Sequence, residues 1–304
     1  MIKTLKTMSK QDKERYTVPR KVQDVIPVRR IWQDGIFLTG NKFSKTYQFS
    51  DINYLVASRE DKESMFLIYS ELLNSLDSGA VTKITINNRR TNKANFENSI
   101  LMPMQEDFRD EYRREYNQML LDKATGANGI TQEKYITISV VKKDIEEARA
   151  YFSRVGADLV SHFAALGSKC VELDASERLR ILHDFYRQGE EAEFQFNARE
   201  MAKRGHDFKD YICPDSMEKN SDYVKLGDKF CRVLFLKDFA SYIKDNMVTE
   251  LTDFNRNLMF SIDVVPVPTD EAVREVENRL LGVETNITNW QRRQNANNNF
   301  SAVV

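Results

Sequence analysis

Three cysteines and three histidines are all that 304 residues carry, and that shortage excludes whole classes of chemistry. Cys170, Cys213 and Cys231 are odd in number and widely spaced, which argues against a disulfide framework. His162, His183 and His206 share no metal-ligand spacing with one another or with the cysteines. A net charge of −1, from 45 basic and 46 acidic residues, leaves no overall field for nucleic acid or anionic lipid. No apolar run approaches the ~18 residues that a membrane-spanning helix needs. The opening Met1-Ile-Lys-Thr-Leu-Lys6 lacks the apolar region of a secretory signal. These absences point to a cytoplasmic chain, free to dock peripherally on a membrane complex.

Glycine is missing where phosphate chemistry would require it. A P-loop needs G-x-x-x-x-G-K-[ST], so that backbone amides cradle phosphates and a lysine reaches them. The nearest stretch, Thr125-Gly-Ala-Asn-Gly129, has Ile130 in place of the lysine and reads as an ordinary helix-to-strand loop. The dinucleotide pattern G-x-G-x-x-G is also missing. His183 and Asp184 have the composition of an acid–base pair, but adjacent helix positions diverge, so His183 reads as a surface or half-buried helix residue. Cys170 and Cys231 sit in apolar strand-like runs, where cysteine behaves as a small hydrophobe. Tyr112 and Tyr116 read as core contacts of a charged helix. No catalytic, cofactor-binding or metal-binding residue emerges.

The patterns that are present describe an α+β chain of mixed, mainly antiparallel sheets with packed helices. Residues 1–20 read as a flexible basic arm, 21–188 as a first α+β subdomain, 189–221 as a linker or irregular excursion, and 222–304 as a second α+β subdomain with a long helix. The first opens on strands around Gln33-Asp34-Gly35, a strong hairpin signal because Asp-Gly tolerates positive φ, with a further strand at 45–49. Helices follow at 60–77 (Met65, Phe66, Leu72, Leu73 and Leu76 on one face), 106–124, 144–166 and 176–187. Strands are expected at 81–86, 134–141 and 170–173. The second runs hairpin (223–226 and 230–236), helix (239–253), strand (258–265) and helix. Both halves thus share the order hairpin, helix, strand, helix, as a structural duplication would, without a residue-level repeat.

The final helix carries the most information. Its apolar residues Val273, Val276, Leu280, Val283, Ile287 and Trp290 step by 3, 4, 3, 4, 3, the seam of a helix that packs along another helix. Thr269 suits the N-cap, and Asp270 and Glu271 oppose the positive end of the helix dipole. The seam can pack inside the chain or against another subunit. Trp290 beside Arg292 and Arg293 has the composition of a nucleic-acid contact, although a seam terminus with solvated arginines is the stronger reading. Beyond lies the polar Gln291-Arg-Arg-Gln-Asn-Ala-Asn-Asn-Asn299, then Phe300-Ser-Ala-Val-Val304, as though a further element should follow.

Taken in order, several segments resemble the N-terminal part of the VirB-four/TrbE/CagE family of conjugation and type IV secretion ATPases, of the integrative-conjugative-element type. They are Ile26-Pro-Val-Arg-Arg-Ile-Trp-Gln-Asp-Gly-Ile-Phe-Leu38, Phe49-Ser-Asp-Ile-Asn-Tyr54, 173–186 with Glu177-Arg-Leu-Arg-Ile-Leu-His183, and Phe208-Lys-Asp-Tyr-Ile-Cys-Pro214. Gly227, Arg232-Val-Leu-Phe-Leu236, Ser261-Ile-Asp-Val-Val-Pro266 and the seam helix complete the series. In that family a C-terminal motor domain holds ATP and magnesium through a P-loop and a Walker B carboxylate. Neither motif occurs here, so no catalytic residue carries over.

The resemblance implies a non-catalytic N-terminal module that docks a conjugative motor to inner-membrane channel proteins and to sister subunits. The chain would then be cytoplasmic and peripheral at the inner face of the cell membrane. The alternative is a module that contacts transferred nucleic acid through its arginine pairs, Arg292 and Arg293 among them.

Overall fold

Seven strands of the computed structural model form one antiparallel sheet, in the order β1-β2-β3-β5-β4-β10 with β6 also on β3. The structure describes residues 19–90, 101–126, 130–238, 246–254 and 256–301. The arm expected at 1–20 falls almost wholly outside them, as do residues 239–245 of the expected 239–253 helix and residues 127–129 of the glycine loop. The strands are β1 (Val28–Ile31), β2 (Phe37–Thr39), β3 (Lys42–Phe49), β4 (Ala80–Arg90), β5 (Ile130–Val141), β6 (Cys170–Glu172) and β10 (Leu258–Val264). Strands β7 (Met217–Lys219), β8 (Val224–Leu226) and β9 (Lys229–Cys231) make a separate antiparallel sheet. The fold is α+β.

The hairpin forms at the Asp-Gly pair, with Gly35 but not Asp34 at positive φ. Gly35 has φ +77°, and a Cβ there would stand 2.0 Å from the Leu173 carbonyl oxygen. Only glycine fits a left-handed position with backbone that close. Strand β3 then shares one edge between two partners, β2 along residues 42–44 and β6 along 47–49, while β5 runs along its whole other edge.

Two helices cover the main core. Helix α1 (Arg59–Asn74) is N-capped by Ser58, whose hydroxyl accepts from the Asp61 amide. Its Leu72 is buried, as is Leu76 just past its end, and Met65 and Leu73 pack beside them. Phe66 does not join them and is exposed: at 100° per residue it sits about a third of a turn from Leu72. Helix α3 (Ile145–Ala165), capped by Asp144, buries Ala148, Tyr151, Phe152, Val155, Gly156, Leu159 and Phe163 against Phe43, Tyr47, Ile136 and Ile138 of the sheet. Gly156 lets the helix approach closely, since a Cβ there would meet Tyr47 Oη at 2.9 Å.

Helix α2 (Asp110–Gly126) lies between these two in sequence. It begins later than expected because Glu106 has φ +58°, a left-handed conformation that a helix cannot contain. Tyr112 and Tyr116, expected in the core, are exposed. The packed face is polar instead. Asn117 exchanges two hydrogen bonds with the Met102 backbone, and Asp110 accepts from the Gln105 and Glu106 amides.

A second core joins Ile26, Val28 and Phe37 to Ala175 and Leu179 of helix α4 (Ala175–Tyr186), and to Phe208, Ile212 and Cys213. The last three belong to the stretch 189–221 expected as a linker or excursion. That stretch holds helix α5 (Ala198–Arg204) and is anchored by Lys209, whose Nζ donates to the Gln23 and Ile26 carbonyls. After helix α6 (Met247–Thr252) the chain returns to the main sheet, where β10 pairs with β4 from Leu258↔Asn88 to Val264↔Thr82. The strand expected in a second subdomain is thus an edge strand of the first sheet, and the two hairpins stand in different sheets. Their arrangement is not that of a duplication. Strand choice here is set by which edge is open, a long-range matter that local order does not encode.

Candidate docking surface

Past β10, Val265-Pro266-Val267-Pro268 leads into helix α7 (Thr269–Ser301). The Ala272 amide donates to the Pro268 carbonyl, so Pro268 rather than Thr269 stands at the cap, with Asp270 and Glu271 in the first turn. All six seam residues lie on this helix, one above another. Val273, Val276, Leu280, Val283, Ile287 and Trp290 are each 51–65 % exposed. Of the two alternatives for the seam, packing inside the chain is therefore not what the described residues show. Burying such side chains is worth roughly 1.5–3 kcal/mol apiece, so this stripe is a large unrealised driving force.

Its flanks are polar and ordered within the helix. Arg279 Nη2 donates to Glu275 Oε1 at 2.6 Å, and Thr285 and Thr288 donate back to the Leu281 and Glu284 carbonyls. Arg292 is exposed, while the Arg293 side chain lies outside the described residues.

A second apolar surface follows β9. The expected strand 230–236 stops at Cys231, and Val233, Leu234 and Phe235 are more than four-fifths exposed. Their β-branched and aromatic character suits a strand, but the three-residue partner β8 is too short to carry the pairing on.

Two arginines that stand beside another arginine in the sequence, Arg113 and Arg89, are engaged within the fold. Arg113 binds Asp107, Asp110 and Gln105. Arg89 pairs with Asp184 and with Glu133, the latter at 2.7 Å. Burial opposes the Arg89 charge, but Glu133 and then Asp184 outweigh it and hold the guanidinium above its ordinary value. His183 Nδ1 lies 3.2 Å from Asp184 Oδ1, both side chains being buried. The divergence expected of adjacent helix positions is thus overcome: the buried Asp184 carboxylate, paired with Arg89, also comes within reach of its neighbour. This network, with Tyr135 Oη donating to Glu133, clamps α4 to β4 and β5.

Arg178 is a buried fastener of a different kind. It donates to the Gly35 and Ser44 carbonyls at 2.7 Å each and stacks on Phe37. Burial lowers its guanidinium to about 9. Nothing in the sequence beyond its place on a helix signalled this role.

Among the described residues, no group of histidines, cysteines and carboxylates could hold a metal ion, and no helix is long and apolar enough to cross a membrane. No protein family and no curated protein matches the sequence.

Proposed function

We propose that this chain is a protein-docking module of a conjugative-transfer, type IV secretion ATPase, joining a motor domain to inner-membrane channel proteins and to neighbouring subunits. The observation that carries the reading is the exposed seam of α7. A regular apolar stripe along a long helix costs solubility unless something covers it. The ordered resemblance of the segments from Ile26 to Trp290 supplies the system. The chain contains no P-loop, so ATP and magnesium would be bound by a motor domain it serves. Its place would be cytoplasmic, peripheral at the inner face of the membrane.

Contact with transferred nucleic acid is the second reading: it loses Arg89 and Arg113, which bind internal carboxylates, and keeps Arg292, which is exposed. A binding titration decides between them. The purified chain is presented to each inner-membrane channel protein of its transfer system in detergent, and separately to single-stranded DNA. Saturable binding to a channel protein is expected. No binding to any of them overturns the proposal, and DNA affinity that falls steeply with salt would favour the alternative.

A further inference from the structure

We infer that the α7 seam is the core of a parallel, in-register bundle made with further copies of this chain. The inference rests on reading α7 as a docking surface and names its occupant.

The stepping of the seam assigns heptad positions. Val273, Leu280 and Ile287 take one core position, a, and Val276, Val283 and Trp290 the other, d. The residues beside the core are then fixed. Glu277 and Glu284 follow the d residues on one flank, and Arg279 precedes Leu280 on the other. In parallel helices in register, the flank residue before a faces the flank residue after d in the next heptad of the neighbour. Arg279 of one chain would face Glu284 of the next, opposite charges at contact range. Antiparallel helices set like flanks together instead, which would bring Glu277 and Glu284 against the same glutamates of the partner. Charge thus selects both the partner and its direction: the surface complements a copy of itself.

Branching at Cβ selects the number of strands. Leucine at d favours two-stranded coils, whereas β-branched residues at both core positions shift the preference to three or four. Here Val276 and Val283 occupy d, and Val273 and Ile287 occupy a. The internal bond from Arg279 to Glu275 does not stand in the way, since both side chains are well exposed and an exposed pair of this kind exchanges partners at little cost.

The test is sedimentation of the full chain over a wide concentration range. The expected result is reversible association to a mass of three or four chains. L280D should abolish it while leaving the folded body intact by circular dichroism, because Leu280 touches solvent rather than core. R279E and E284R should each weaken association by about tenfold, and the double variant should restore it. Direction is read by oxidative crosslinking against a wild-type blank. V273C chains should crosslink with one another, and when V273C and W290C chains are mixed no link between the two kinds of chain should form.

A monomer or a two-chain species at every concentration overturns the inference. So does an oligomer that L280D leaves intact, or crosslinking confined to the V273C and W290C mixture. A monomeric chain that still binds a channel protein through the seam would sink the bundle and spare the docking reading. A bundle that binds no channel protein would do the reverse.

Discussion

Helices α3 and α7 both announce themselves by an apolar stripe, yet one stripe is core and the other is surface. In α3 the stripe meets β3 and β5, and Phe152 and Leu159 are almost fully enclosed. In α7 residues of the same type at similar spacing stand more than half exposed. Periodicity therefore tells which side of a helix wants a partner, not whether the partner lies in the same chain. The neighbouring elements differ too. Helix α3 is capped by Asp144, enters from a sheet strand and returns to β6, so both its ends are held. Helix α7 is held at its start by the β10 strand.

Truncation should separate the two helices most sharply. Phe152→Ala opens a cavity in the enclosed core and should cost about 3–5 kcal/mol in urea unfolding. Leu280→Ala, measured in dilute solution, should change stability by no more than about 0.5 kcal/mol. Equal losses would mean that α7 packs on the body. The fastener between the hairpin and α4 comes next. Arg178→Met strands the Gly35 and Ser44 carbonyls in the interior and should cost about 2–4 kcal/mol by the same assay.

Glycines sharpen the contrast further, because the same substitution should have opposite signs. Gly156→Ala drives a methyl toward Tyr47 Oη and Glu172 Oε1 and should destabilise by about 1–3 kcal/mol. Gly282→Ala meets nothing within 4 Å and should stabilise the helix by roughly 1 kcal/mol, read as a gain in helix content.

Alkali gives the gentlest discrimination. Burial pushes the Cys170 and Cys213 thiols up to about 11 from 9.0, and the Tyr151 phenol up to about 12 from 10.0. Each folded-state value lies above the unfolded one, so the unfolded chain releases these protons first. The stability they contribute is complete below pH 9.0 and drains away as pH rises towards 11 and 12. Helix α7 contains neither cysteine nor tyrosine. Melting of the body should therefore fall across that window, with the Leu280→Ala variant following the same curve.

Local chemistry was legible in the sequence, and distant pairing was not. The Asp34-Gly35 turn, the Asp144 and Ser58 caps and the seam of α7 each depend on residues within a few positions of one another. The return of β10 to β4 depends on an edge left open some 170 residues earlier, and no local period records it. The same limit hid Phe208, Ile212 and Cys213, which read as an irregular excursion until the hairpin face they cover is known. Gly156 looked like any helical glycine, because its reason is the Tyr47 hydroxyl across the interface. The apolar period of α7 was legible in the sequence, whereas its exposure is a fact of the structure.

The prolines between β10 and α7 have a mechanical consequence. Pro266 and Pro268 each fix one backbone dihedral, so the four-residue connector is stiff and passes on a tug rather than absorbing it. Tension on α7 along the axis of β10 would reach seven strand pairs at once, from Leu258↔Asn88 to Val264↔Thr82. Hydrogen bonds perpendicular to the pull share such a load in shear, whereas a sideways pull would part them one by one, beginning at Val264. The joint is strong along one direction and weak across it, so whatever grips α7 can draw the whole sheet with it or peel away its edge, according to the angle of its grip.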